Sequence, residues 1–136
     1  MHLTIETGHS LGRSLLKPEK TIARLAEDGL THFATADRGA GAALHKWSVT
    51  AQKKGLTLVP GATIHVGKDW HTIRAYAQSD AALPFLYRAI SAPSKDVARH
   101  LLHDDIVVLT GGLEDGVVPN AKTPAAIAEI LGKLTK

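Results

Sequence analysis

Histidine is the residue type in this chain that can act both as a metal ligand and as an acid or base near neutral pH. The sequence holds 8 histidines in 136 residues and no cysteine, so a metal site could use imidazole and carboxylate groups but not thiolates. A metalloenzyme would account for this number of histidines, and so would chance combined with a polar surface. The lack of cysteine rules out disulfides and thiolate metal sites, and it fits a cytoplasmic protein.

Two local groupings of histidine have spacings that could form a site. His9 precedes Ser10 in a predicted loop. A nucleophilic serine needs a base within hydrogen-bond reach and an acid to orient that base, which adjacent loop residues rarely provide. His100 and His103 are three positions apart on a predicted helix and are followed by Asp104. Histidines near the carboxyl end of a helix more often interact with its dipole than bind metal, so we expect neither grouping to be a site.

The elements that must position the functional residues follow from the periodicity of the apolar residues. Strands are predicted at residues 2–6, 32–35, 56–59, 63–66, 72–77 and 105–110, with a hairpin turn at 67–69. Helices are predicted over 18–28 (stopped by Gly29), 41–54, 79–90 (capped by Ser79, with a kink or late start at Pro84), 93–102 and 125–134. Strands that alternate with helices predict an α/β domain over residues 1–136, with a largely parallel sheet and helices packed outside it.

Composition narrows the class of protein and of partner. Hydrophobic residues make up 44% of the chain, which is typical of a folded domain. No apolar run approaches the roughly 18 residues needed to cross a bilayer, so no membrane partner is expected. The net charge is +3, and the basic residues are scattered, so binding to DNA would be weak.

Several segments resemble motifs of the PHP (polymerase and histidinol phosphatase) family, in the form that begins the alpha subunit of bacterial DNA polymerase III. Residues 2–10 read HLTIETGHS and resemble HLHxHTxYS; residues 29–39 read GLTHFATADRG and resemble GxxAxAxTDHG. Residues 61–66, GATIHV, resemble GxExxV, and residues 71–78, HTIRAYAQ, resemble HLxLLAxN. A complete PHP domain is a distorted barrel of seven βα units. The resemblance therefore implies a partial PHP-like (βα) barrel, truncated to fewer units.

The resemblance also implies that most metal-ligand positions have changed. The paired histidines of the first motif fall on Thr4 and Glu6, the histidine of TDHG on Arg38, and the glutamate of GxE on Thr63, while Asp37 and His71 match a family aspartate and histidine. Glu6, Asp37 and His71 are the residual candidates, and three ligands could hold one Mn or Zn ion weakly.

Arg38 weighs against a metal at these positions. Its guanidinium stays protonated in proteins, so it would repel a cation and pair with a carboxylate instead. We therefore expect no catalytic residue and no cofactor, and a cleft salt bridge among Arg38, Glu6 and Asp37. One weakly bound Mn or Zn ion is the alternative.

The function that the resemblance implies is a non-catalytic domain of DNA replication. It would be a docking module for a replicative polymerase or a proofreading exonuclease subunit, and so short a chain would suit a phage or mobile-element product. The alternatives are a residual metal-dependent phosphoesterase or 3′–5′ exonuclease, and a weak DNA-binding accessory protein. Open strand edges would also favour a homo-oligomer.

Overall fold

The computed structural model describes residues 2–10, 12–38, 41–66 and 71–111, together with positions 116, 125, 128 and 132. Within these residues the chain has a mixed α/β structure, as the sequence predicts. The strands are β1 (His2–Ile5), β2 (His32–Thr35), β3 (Asp37–Arg38), β4 (Thr57–Val59), β5 (Gly61–Val66), β6 (His71–Ala77) and β7 (Ile106–Leu109). The helices are α1 (Pro18–Glu27), α2 (Leu44–Gln52), α3 (Leu83–Ser91) and α4 (Val97–His100).

Two predicted elements fall outside this description. The turn at residues 67–69 lies outside the described residues, as does most of the predicted last helix over 125–134. Ala125, Ala128 and Gly132 are described, and each is helical.

The strands form two sheets that differ in strand direction. The first sheet is parallel and has the order β1-β2-β4. The second has the order β3-β5-β6-β7, in which β3 and β5 are parallel and the other two pairs are antiparallel. The parallel arrangement expected from the sequence is therefore present in the first sheet, while the second is mixed. Residues 67–70 alone join β5 to β6, and a parallel crossover needs a dozen residues or more.

The two sheets are linked because two stretches of chain run through both. A single residue, Ala36, separates β2 from β3, and Pro60 separates β4 from β5. The N–H of Ala36 donates a 2.9 Å hydrogen bond to the carbonyl of Ile5, the last residue of β1. The residues that follow β1 consequently lie beside β3, and this proximity brings the candidate site together.

The ends of α1 agree with local sequence signals. Pro18 occupies the first turn, where its missing N–H is no loss, and Glu19 supplies negative charge to the same turn. Gly29, just beyond the helix, has φ +74°. Glycine adopts this left-handed conformation without the steric cost that a side chain would add.

The predicted Ser79–Ile90 helix begins later than its cap signal indicates. A 3-10 turn at Asp80–Ala82 precedes α3, which begins at Leu83. The hydroxyl of Ser79 makes no cap hydrogen bond and donates instead to Oδ2 of Asp105, at 2.6 Å. Pro84 lies in the first turn of α3, so its ring marks a late start and not a kink.

The core consists of two main apolar clusters, one behind each sheet. Helices α1 and α2 cover the first sheet, and α3 and α4 cover one face of the second. The first cluster contains Ile22, Leu25, Phe33, Ala43, Trp47, Ala51 and Leu56. The second contains Ala62, Ile64, Val66, Ile73, Ala75, Ala77, Ala82, Leu86, Ala89, Val97, Leu101 and Ile106. Among the described residues, no helix has both the length and the apolar character that a membrane crossing requires.

Candidate functional site

Asp37 is the centre of the candidate site and is held by the loop that follows β1. Its side chain is 2% exposed. Oδ1 accepts hydrogen bonds from the N–H of Thr7 at 2.6 Å and from the hydroxyl of Ser10 at 2.7 Å. Oδ2 accepts one from the hydroxyl of Thr7 at 2.7 Å. Thr7 and Ser10 are themselves buried, so the carboxylate exchanges water for three donors of the chain, as a buried polar group requires.

Glu6, the residue before Thr7, faces two arginines. Its Oε2 is 3.4 Å from Nε of Arg13, and its Oε1 is 3.9 Å from Nε of Arg38. The side chain of Glu6 is 19% exposed, against 49% for Arg13 and 23% for Arg38. The structure therefore brings Arg38 and Glu6 together as an ion pair, while Asp37 is held by hydroxyl and amide donors.

Thr4 and Thr63, the other two positions compared with family ligands in the sequence, are threonines in different surroundings. Thr4 is exposed on β1. Thr63 on β5 is 2% exposed, and its hydroxyl donates a 2.8 Å hydrogen bond to the carbonyl of Ala36. Because that bond links β5 to the junction of β2 and β3, Thr63 has a structural role in the fold.

His71, the third residual candidate, lies away from the two carboxylates. Asp37 is the register partner of Ala62, which is opposite Ala75, and His71 lies four residues before Ala75 on β6. Four residues along a strand span about 13 Å, so the distance along the strand separates His71 from Asp37. Among the described residues, no three His, Asp or Glu side chains form a group able to hold a metal ion.

The histidine groupings noted in the sequence also have structural partners. The hydroxyl of Ser10 is directed to Asp37, and the N–H of His9 donates to the hydroxyl of Thr7 at 3.1 Å. His100 is the last residue of α4, and His103 lies beyond it. Nδ1 of His103 accepts the N–H of Asp105 at 3.1 Å. No catalytic arrangement is formed by these described residues.

A second cluster of polar side chains lies on β5 and β6, and the sequence motifs did not predict it. Ala62, Ile64, Ile73 and Ala75 point to the helix side of the second sheet, so the residues that alternate with them point to the other side. We call that side the arginine face; it carries Arg38, Thr63, His65, Arg74 and Tyr76. Its only sequence signal is the polar alternation of β6, Thr72-Arg74-Tyr76, between apolar residues.

The Tyr76 ring fills one part of the arginine face and leaves no space for a side chain at position 61, which is a glycine. It is 3% exposed and packs with Ala34, Ala36 and Val59. A Cβ at Gly61, its register partner, would lie 2.4 Å from the Tyr76 ring and 2.5 Å from the carbonyl of Thr35. Burial raises the pKa of Tyr76 to about 12, although the charge of Arg74 lowers it. The phenol is therefore neutral near pH 7.

Comparisons with known proteins find likeness in structure alone. No protein-family model matches the chain, and no curated protein matches it. A two-domain protein from Bacteroides vulgatus, containing a predicted PHP-like metal-dependent phosphoesterase, has a TM-score of 0.69 and 14% identity. That match covers 98% of this chain and 41% of the other.

Two further solved structures match a smaller part of the chain. An amidohydrolase from Chromobacterium violaceum, with bound sulfate and no metal, has a TM-score of 0.51 and 21% identity. A protein from Bifidobacterium adolescentis assigned as a metal-dependent phosphoesterase has a TM-score of 0.51 and 20% identity. Each of these matches covers 66% of this chain and 31% of the other.

These matches cover only part of each solved structure. The chain spans less than half the length of each solved structure. Sequence identities this low relate folds and leave activity open, because unlike functions share folds. The fold of this chain is PHP-like.

Proposed function

We propose that this chain is a non-catalytic PHP-like domain in which an internal network has replaced the metal site. The observation that carries the proposal is that both residual carboxylates already have partners. Asp37 accepts three hydrogen bonds, and Glu6 lies between two arginines. A metal ion would have to displace these donors and remain beside the permanent charge of Arg38, which is unfavourable.

Restoring the missing ligands provides a direct experiment. The combination of Thr4→His, Arg38→His and Thr63→Glu returns family ligand types to the three positions at which the resemblance implies a lost ligand. We expect this variant to bind Mn²⁺ or Zn²⁺ in isothermal titration calorimetry, while the native chain shows no saturable binding. The matched control places the same residue types elsewhere, with Thr50→His, Arg99→His and Thr57→Glu. Equal metal binding by the native chain and the restored variant would count against the proposal.

The role we propose for such a domain is docking in DNA replication. The order of the segments that resemble the polymerase III alpha family supports this role, with a replicative polymerase or a proofreading exonuclease subunit as partner. Leu15 and Leu16 offer an apolar contact beside the network, since their side chains are 96% and 45% exposed. The carbonyl of Leu16 accepts the N–H of Gly8 at 3.0 Å, which holds this loop near β1.

Docking can be measured with purified polymerase and exonuclease subunits from the source cell. We expect one of them to comigrate with the chain in gel filtration, and Leu15→Asp to weaken that complex. Burying one leucine contributes about 1.5–3 kcal/mol. Leu102→Asp, at another leucine that is 43% exposed, serves as the matched control. If neither subunit binds the native chain, the docking role is wrong.

A residual metal-dependent phosphoesterase is the second candidate function. The retention of Glu6 just after β1 and of Asp37 at the start of β3 favours it, as does the likeness to proteins assigned as phosphoesterases. This candidate predicts manganese- or zinc-dependent hydrolysis of a phosphodiester. Asp37→Ala should abolish that hydrolysis, and Asp104→Ala, at an exposed aspartate, should leave it unchanged.

Self-association belongs to the same proposal and has its own support. If the two sheets form part of a PHP-like barrel with fewer than seven units, a second copy of the chain could pair with β7. Val107 and Leu109 on β7 are 37% and 36% exposed, and exposed strands favour such pairing. We expect a dimer in analytical ultracentrifugation that Val107→Lys disrupts.

Weak DNA binding would be recognised by an affinity that falls steeply with salt.

A further inference from the structure

An open cleft lies between α2 and α3 and has a volume of about 540 Å³. Strand β4 lines it on one side and α2 on a second side. The start of α3 and the 3-10 turn before it line a third side. None of the described residues that line the cleft belongs to the network around Asp37, so this is a separate surface of the molecule.

The outer edge of β4 borders the cleft and is unpaired in the part of the chain that the structure describes. The N–H of Thr57 donates to the carbonyl of Thr31 at 2.9 Å, so Thr57 directs its backbone groups towards β2. Successive residues of a strand direct these groups to opposite edges, so the N–H and the carbonyl of Leu58 point into the cleft. The last bond from β6 on this side runs from the N–H of Ala77 to the carbonyl of Pro60, at 2.9 Å, and stops short of Leu58.

The side chains around this free edge favour an apolar ligand group. The side chain of Leu58 packs against the apolar cluster behind the first sheet. A residue paired with Leu58 would point to the same side of the sheet, where Leu44, Leu83 and Tyr87 line the cleft. Tyr87 is 44% exposed. Its ring is held against Gly41, where an added Cβ would lie 2.5 Å from it.

Asp80 adds a charge to the cleft. It is exposed, and the described lining residues include no other acidic residue and no lysine or arginine. A basic side chain that entered the cleft would therefore be attracted to this carboxylate.

We propose that the cleft binds an extended segment of a partner protein, which adds a short strand to the outer edge of β4. The segment has a large apolar residue opposite Leu58 and a lysine or arginine close to Asp80. In an antiparallel pair the residue opposite Leu58 exchanges two hydrogen bonds with it. Main-chain bonds supply affinity in this mode of recognition, and side-chain pockets supply specificity. The three residues of β4 span about 10 Å, so the bound segment is short. The site is independent of the docking role proposed for Leu15 and Leu16.

The test uses a capped, dye-labelled peptide of sequence KTLTK with the full chain, which is labelled with ¹⁵N. The threonines of the peptide favour an extended backbone, its leucine is the apolar residue, and its lysines complement Asp80. We expect saturable binding in fluorescence polarisation and slower hydrogen exchange at the N–H of Leu58 than in the free chain. Methylation of the leucine nitrogen removes one main-chain donor of the peptide and should weaken binding about fivefold or more.

Variants of the chain locate the binding. Ser48→Tyr places a ring in the cleft and should weaken binding about tenfold or more. Val49→Tyr, at the next residue of α2, which does not line the cleft, should bind like the native chain. Asp80→Asn should weaken binding of KTLTK and leave binding of the peptide QTLTQ unchanged. Circular dichroism should show that each variant is folded.

Binding that slows exchange at Leu58 and is lost in Ser48→Tyr supports the site. The proposal is overturned if the native chain shows no saturable binding, or if the methylated peptide or Ser48→Tyr binds equally well. A dimer of the native chain that Ser48→Tyr dissociates and Val107→Lys does not would also overturn it, because the cleft would then hold a second copy of this chain.

Discussion

The hydroxyl of Thr7 donates a 2.7 Å hydrogen bond to Asp37, a residue 30 positions further along the chain. The N–H of Thr7 donates a second bond to the same carboxylate at 2.6 Å. This pair links the loop after β1 to the start of β3. Asp37 thereby stabilises the packing of two strands, whether or not it serves any chemistry.

Asp37→Asn should lower the free energy of unfolding by about 2–3 kcal/mol, the range for a hydrogen-bonded charged group and its donors. The amide nitrogen that replaces one carboxylate oxygen would face a donor from Thr7 or Ser10. Urea denaturation measures the change. Asp104→Asn, at an exposed aspartate, should change stability by less than about 0.5 kcal/mol. A similar effect for both variants would remove the structural role assigned to Asp37.

Glu6→Gln should have a much smaller effect on stability. Its partner Arg13 is half exposed, and the two N–O separations are 3.4 and 3.9 Å. Ion pairs of this kind contribute about 0–1 kcal/mol and weaken in salt. Urea denaturation at low and high salt should give a difference between native chain and variant that shrinks as salt rises. A loss larger than that of Asp37→Asn would place the main stabilising contact at Glu6.

Gly61→Ala should destabilise the chain because the added methyl has no space. Its Cβ would lie 2.5 Å from the carbonyl of Thr35, which is backbone and cannot rotate away. Overpacking of this kind costs about 1–3 kcal/mol. The matched control is Gly132→Ala, where no atom lies within 4 Å of the new Cβ. Since that glycine is helical, alanine should be neutral or stabilising by up to about 1 kcal/mol.

Tyr76 should make the chain less stable at alkaline pH. Burial raises its pKa from 10.0 to about 12, so the unfolded chain loses the phenolic proton first. The free energy of unfolding should be unaffected by this group below pH 10 and should fall as the pH rises towards 12. Because the chain has 2 tyrosines, the Tyr87→Phe variant reports Tyr76 alone in a phenolate absorbance titration. A midpoint near 10 while circular dichroism remains native would contradict the burial of this phenol.

Local signals predicted individual elements better than contacts between them. The strand at 32–35 and the Pro18 start of α1 follow from apolar alternation and proline geometry, which act within a few residues. The role of Ser79 was misread because its hydroxyl bonds to Asp105, 26 residues away. The donors of Asp37 could not be foreseen for the same reason, since Ser10 is 27 positions distant.

The arginine face shows a second limit on prediction from sequence. The period-two pattern of β6 predicts that Arg74 and Tyr76 share a side, but it does not give the register with β5. That register follows from the hairpin between β5 and β6, and it places Arg74 opposite Thr63 and beyond it Arg38. The same register puts His71 four residues along β6 from Ala75, which is opposite Ala62, the partner of Asp37, so two ligands chosen from motif positions are far apart along the sheet.

The most direct measurement is metal binding by the native chain. Purified protein, freed of metal, would be titrated with Mn²⁺ and Zn²⁺ in calorimetry and thermal denaturation, beside Glu6→Gln, which should remain well folded. The account predicts no saturable binding and no metal-dependent rise in melting temperature, because Glu6 and Asp37 already have partners. Saturable binding that raises the melting temperature and is lost in Glu6→Gln would contradict it, and would show a metal site at these residues.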